Sequence, residues 1–122
     1  MKRLSFAVAA SGRPAAKPEQ VGLSSGPKTV DHMTSDHLGP SISRGAFAGR
    51  GYTWGLGVAV REEKGPSPIA GSPGDYFWPG AFATYWWADP KEQIVVVSMM
   101  QAPFGRHYQH LLRGLVSQAI AE

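Results

Sequence analysis

The side chains able to do chemistry are few, and their spacing limits what they can do. His32 and His37 lie five apart, flanked by Asp31 and Asp36, and His107 and His110 lie three apart. A zinc site needs three or four converging ligands with an organised second shell, and the chain contains no H-E-x-x-H pattern. The histidines therefore read as surface or helix-end residues, and neither a metal nor a cofactor is expected. The chain has no cysteine, which removes thiolate ligands and disulfides. Gly49-Arg50-Gly51 and Gly55-Leu56-Gly57 lack the Lys-Ser/Thr of a phosphate loop. Their glycines read as places of close backbone approach. For a nucleophile, no G-x-S-x-G elbow exists. Ser25-Gly26-Pro27-Lys28 fits the letters S-x-x-K, in which a neutral Lys one helical turn away takes the Ser proton. Here Gly26 and Pro27 intervene, so Ser25 reads as the cap of a helix that Pro27 opens. The chain has no asparagine, so it cannot spell the S-D-N or Y-x-N elements that complete Ser–Lys sites.

The elements that must position these residues follow from patterning. At 122 residues the chain has the size of one domain, and with 43% hydrophobic and 17% charged residues it has the makings of a core. Fifteen Gly and ten Pro favour a sheet with many turns over a bundle of long helices. The net charge of +3 is scattered and shows no dense basic run, so nucleic acid is not an expected partner. Met1 to Ala10 has the make-up of a short signal peptide, but its apolar stretch is at the lower limit for one. That tips the expected compartment slightly toward the cytoplasm. No apolar run is long enough to span a bilayer.

Residues 1 to 26 show no sustained period and read as a poorly ordered lead-in, with a structured part over 27 to 122. A short helix is expected from Pro27 to Met33, ending before Gly39-Pro40. Three strands are expected, at Tyr52–Arg61, Phe77–Ala88 and Gln93–Met100, the last covered on both faces. Asp89-Pro90-Lys91-Glu92 reads as a hairpin turn. From Arg106 onward Leu111, Leu112, Leu115, Val116, Ala119 and Ile120 fall at helical spacing, giving a helix that lies across the sheet.

Several stretches together carry a family resemblance. Pro27 to Gly39, PKTVDHMTSDHLG, resembles the "SPKTVxxMTxxHLG" segment of β-lactamase-related serine hydrolases. Tyr52 to Val58 is similar to their "GxGLGF" strand. Gly71 to Pro90, GSPGDYFWPGAFATYWWADP, resembles their "GSxGxxxWGGAxGTxxWxDP" block. Gln93 to Gln101 resembles the apolar strand ending in "MTQ" or "MMQ". The order and spacing agree from about residue 27 to the end. The resemblance is to the C-terminal part of class C β-lactamase-like esterases and penicillin-binding-protein homologues.

That resemblance implies an α/β architecture (an α+β sandwich fragment of β-lactamase/transpeptidase type), with an antiparallel sheet of about three strands and the C-terminal helix packed on it. It implies acyl transfer on small esters or amides by a Ser–Lys–Tyr site. Trp78-Pro79-Gly80 would stand at the position of the third active-site element, K-T-G in β-lactamases and W-G-G in many esterases. Ala81 would follow it, its backbone N–H half of an oxyanion hole. Trp78 in place of Lys favours neutral esters over β-lactam carboxylates. The S-x-x-K helix and the Tyr element are missing from the matching region, so the expected state is a fragment inactive alone. The alternative is a non-catalytic binding or interaction module on the same fold. A partly bare sheet, with Trp54, Trp86, Val95 and Val97 at its surface, implies self-association.

Overall fold

The computed structural model describes residues 5–10, 27–45, 48–62, 67–103 and 105–120. Along the chain run β1 (Ser5–Ala10), α1 (Pro27–Met33), β2 (Tyr52–Trp54), β3 (Ala59–Arg61), β4 (Tyr76–Pro79), β5 (Tyr85–Asp89), β6 (Ile94–Met99) and α2 (Arg106–Ile120). The six strands form one sheet in the order β1-β6-β5-β4-β3-β2, and every neighbouring pair is antiparallel. The α+β architecture with a C-terminal helix is the expected one. The strand count is higher for three local reasons.

Tyr52–Arg61 reads as one strand, yet Gly57 adopts φ +78° and the Gly55 N–H donates to the Val58 carbonyl at 2.9 Å. The chain reverses there, and Tyr52 pairs with Arg61. Phe77–Ala88 likewise folds into a hairpin, with Phe77 opposite Trp87 and Trp78 opposite Trp86. Finally Ser5–Ala10, expected within the lead-in, forms β1 on the edge beside β6, from Ser5↔Met99 to Ala10↔Ile94. Residues 11 to 26 of that stretch lie outside the described residues. The Asp89-Pro90 turn is where its letters put it: Asp89 Oδ1 accepts the Lys91 and Glu92 N–H groups at 3.1 and 3.2 Å, closing the β5–β6 hairpin.

Alternation along the strands sends Phe77, Tyr85, Trp87 and Val96 to one face. With Tyr52, Ala59 and Leu112 of α2 they form the buried core. Its rings meet edge-on or tilted, Tyr52 to Phe77 at 5.0 Å and Tyr85 to Trp87 at 5.5 Å between centroids. The other face is less covered. Val95, Val97 and Met99 of β6 are exposed, so this strand is not covered on both faces as its continuous apolar run suggests. Trp54 and Trp86, expected at the surface, are half-buried. Trp54 Nε1 donates to the Arg44 carbonyl at 2.9 Å, and Trp86 meets Tyr76 edge-on.

The helix α2 is turned relative to its apolar stripe. Gln109, Leu112 and Arg113 are its buried residues, while Leu111 and Leu115 are exposed. The cause is electrostatic: Arg113 enters the protein to meet Asp75, and both are fully buried. With Arg113 packed inward beside Asp75, which Arg61 also pairs, Leu111 and Leu115 are left facing outward.

Candidate functional site

The site is built on the turn between β4 and β5. Gly80 N–H donates to the Thr84 carbonyl at 2.6 Å, and Ala83 N–H donates to the Gly80 carbonyl at 3.1 Å. This is a hairpin loop of three residues, Ala81-Phe82-Ala83, whose last residue has φ +69°. A residue in that left-handed position is usually Gly, because a Cβ is strained there. Gly80 is needed for space, since a Cβ on it would overlap Thr84 Oγ1. The loop is tied to the chain ahead of α2: Ala102 N–H donates to the Phe82 carbonyl at 3.1 Å, and Gln109 Nε2 donates to the Thr84 carbonyl at 3.5 Å.

Between the turn and the start of α2 lies a cleft of about 710 Å³, lined by Pro79, Gly80, Ala81, Ala83, Pro103, Gly105, Arg106 and Gln109. Ala81 is exposed on it, and its N–H takes no partner among the described residues. A rigid, free backbone N–H at the rim of an apolar cleft can donate to an oxygen that gains charge during a reaction. Arg106 adds positive charge from the helix side. Among the described residues the lining holds no Ser, Thr, Cys, His, Tyr, Asp or Glu, hence neither nucleophile nor general base.

Of the four residues expected here, Pro79, Gly80 and Ala81 come together on the cleft, and Trp78 does not. It lies between Phe77 and Pro79, so its side chain leaves from the opposite face. It packs against Trp54 with ring centroids 5.4 Å apart. Ser25 lies outside the described residues, and Lys28 is exposed on α1. His37 contacts His32 edge-on at 4.8 Å, with Nε2 at 2.7 Å from the His32 carbonyl. Among the described residues no three His, Cys, Asp or Glu converge to hold a metal. No described helix is long and apolar enough to cross a membrane.

The buried interior holds a charged cluster that sequence reasoning missed. Asp75 Oδ2 receives Arg61 Nε at 2.8 Å and meets Arg113 Nη2 at 2.5 Å. Arg113 Nη1 donates to the Tyr85 hydroxyl at 2.9 Å, and Arg61 Nη2 donates to the Ile69 and Ala70 carbonyls at 2.8 and 3.1 Å. The guanidiniums also cover rings, Arg61 over Tyr52 and Arg113 over Phe77 and Trp87. Burial works against the Arg113 charge, and Tyr85, Asp75 and Tyr52 more than offset it. Burial pushes the Tyr85 hydroxyl up to about 12 and raises Tyr52 as well. Neither buried tyrosine is therefore poised to shuttle a proton near neutral pH. The sequence carried no clear signal of this cluster, since Arg113 falls outside the apolar stripe of its helix, where a solvent-facing cation is the ordinary expectation. The residues Arg106 and Gln109 gave none, because only the fold brings them to the β4–β5 turn.

Set against known proteins, residues 5–119 match the β-lactamase family. The chain is 32% identical over 82 residues to the uncharacterized protein MT1414 of Mycobacterium tuberculosis (strain CDC 1551 / Oshkosh), and equally to protein Rv1367c of the H37Rv strain. That match takes in 62% of this chain and 20% of each relative, so it spans a fifth of their length. Since the family match covers both edge strands of the sheet, the turn that builds the cleft and nearly all of α2, the chain belongs to the β-lactamase family.

Proposed function

We propose that residues 27–120 form the oxyanion-side wall of a β-lactamase-related serine hydrolase, one that transfers acyl groups from small esters or amides through a Ser–Lys–Tyr site. The observation that carries this is the unpartnered N–H of the exposed Ala81 on an apolar cleft, in a turn held by the Gly80 and Ala83 N–H groups. Family membership supplies the reaction class. The cleft supplies a wall for the acyl group and a donor for its developing oxyanion. Because the described residues lining the cleft include no nucleophile, and Gly26 and Pro27 interrupt the S-x-x-K letters at Ser25, the attacking serine and its lysine lie outside residues 1–122, which are inactive alone.

Intact-mass analysis after incubation with a fluorophosphonate probe tests this directly. The expected result is no adduct and no turnover of p-nitrophenyl esters. A stoichiometric adduct that disappears in Ser25→Ala would overturn it and make Ser25 the nucleophile.

The second reading, a binding or interaction module without catalysis, is favoured by the aromatic core and the Arg61–Asp75–Arg113 cluster, both contained in residues 52 to 113. Such a module melts cooperatively as a monodisperse species. The fragment reading instead expects self-association through the exposed side chains of β6.

A further inference from the structure

The charges around the cleft limit what it can take. Pro79, Gly80, Ala81, Ala83, Pro103 and Gly105 line it with carbon and backbone. Among the described residues no carboxylate reaches the lining, so nothing there selects a cation. Arg106 brings the lining's one charge, and Arg106 already has a partner, with which an incoming anion would have to compete. Trp78, which the sequence suggests as the source of a preference for neutral esters, packs against Trp54 and lies off the cleft. Any such preference therefore falls to the lining itself. The volume of about 710 Å³ is in the range of sites that hold a whole drug-sized molecule, so there is room for more than a small acyl group.

The turn adds an aromatic ring at the rim. Phe82 is 63% exposed and sits between Ala81 and Ala83, both on the lining. Turns ordinarily carry Gly, Pro, Asn, Asp or Ser, and a phenylalanine there leaves apolar surface in water. Its backbone is fixed in place: the Phe82 carbonyl accepts the Ala102 N–H at 3.1 Å, and Ala102 precedes Pro103 of the lining. The unpartnered N–H of Ala81 is one residue away. A flat molecule whose carbonyl accepts from that N–H thus has a second ring within reach.

We propose that the cleft takes neutral aromatic acyl compounds, the carbonyl oxygen on the Ala81 N–H and the ring against Phe82, which is the specificity-determining residue. This names the substrate class of the acyl-transfer site and rests on that reading. Contact between two rings adds to the gain from burying the ring itself. A neutral aliphatic acyl group lacks that contact and binds more weakly.

The test is a titration of the isotope-labelled full chain in which NMR follows the Ala81 amide. The probes are acetophenone as a neutral aromatic carbonyl, acetone as a carbonyl without a ring, and benzoate as the charged match. Acetophenone should move the Ala81 amide saturably and bind about tenfold or more tighter than acetone. Benzoate should bind no tighter than acetophenone. Phe82→Ala should weaken acetophenone by about tenfold and leave acetone unchanged. Phe82 is exposed and is held through its backbone, so this variant keeps the fold. An Ala81 amide that ignores both ketones would overturn the assignment and the oxyanion-wall reading together. Equal affinity for the two ketones, tighter binding of benzoate, or acetophenone affinity untouched by Phe82→Ala would each overturn the substrate class alone and leave that reading standing.

Discussion

The Cβ of Ala83 occupies the space that a Cβ on Gly105 would need. The two residues face each other across the cleft wall, one at the end of the β4–β5 turn and the other just ahead of α2. The family block quoted above has Gly where this chain has Ala83, and here the missing Cβ is at Gly105 instead. Ala83 is 1% exposed and holds φ +69°, so its methyl group is both buried and strained. Gly105→Ala alone should overpack this contact and cost about 1–3 kcal/mol. Ala83→Gly alone should be near neutral, because relief of the left-handed strain offsets the lost methyl contact. Combined, the two should recover much of the loss, with a coupling of about 1 kcal/mol or more in a double-mutant cycle read by urea unfolding. Additive effects would separate the residues energetically.

Asp75 should be the most sensitive charged position. It is the sole carboxylate between Arg61 and Arg113 among the described residues, and it is fully buried. Asp75→Asn leaves two guanidiniums without a counter-charge and should destabilise by about 3–5 kcal/mol. Arg113→Met should cost clearly less, because Arg61 remains to neutralise Asp75 and a flexible apolar chain fills the gap. Denaturant midpoints of the two variants give the comparison, and a reversed order would mean that Arg113 rather than Asp75 organises the cluster.

The parts legible in the sequence are those written in local chemistry. Asp89-Pro90 announces its hairpin, Pro27 opens α1, and the apolar spacing after Arg106 gives a helix of nearly the right extent. The β4–β5 turn was not legible because Ala81-Phe82-Ala83 lacks the Gly, Asn or Pro that marks turns, and Ala83 takes the strained conformation by tertiary constraint. The rotation of α2 was not legible either. Periodicity counts apolar residues and cannot see that Arg113 has a buried carboxylate, distant in sequence, waiting for it. For the site, resemblance put Pro79, Gly80 and Ala81 on one wall. The facing wall of Gly105, Arg106 and Gln109 exists only once β5 and α2 are in place.

Alkaline pH should unfold the chain through its buried phenols. The Tyr85 hydroxyl is pushed up to about 12, first by burial and with Arg113 opposing, while an unfolded tyrosine ionises near ~10. Between these values the native state keeps a proton that the unfolded state has lost. Stability is therefore fully present below pH ~10 and falls as pH rises toward 12. Tyr52, also raised, acts in the same sense. Absorbance at the phenolate band should show delayed ionisation followed by release on unfolding. Tyr85→Phe should flatten this loss and cost about 1.5–3 kcal/mol at neutral pH, since Arg113 Nη1 loses its acceptor.

The exposed side of β6 should govern solution behaviour. Val95, Val97 and Met99 are 49%, 42% and 64% exposed, and they alternate along one strand, so they share a face. Trp86 lies directly opposite Val97 on the neighbouring strand, which extends the apolar surface. A patch of this kind favours contact with a second apolar surface over contact with water. Sedimentation velocity should show mass increasing with concentration. A single charge in the middle of the patch, Val97→Lys, should return the chain to a monomer while leaving its circular dichroism unchanged, because position 97 faces away from the core. If the unsubstituted chain stays monomeric at every concentration and melts cooperatively, the β6 face is not an association surface and the independent-module reading gains over the fragment reading.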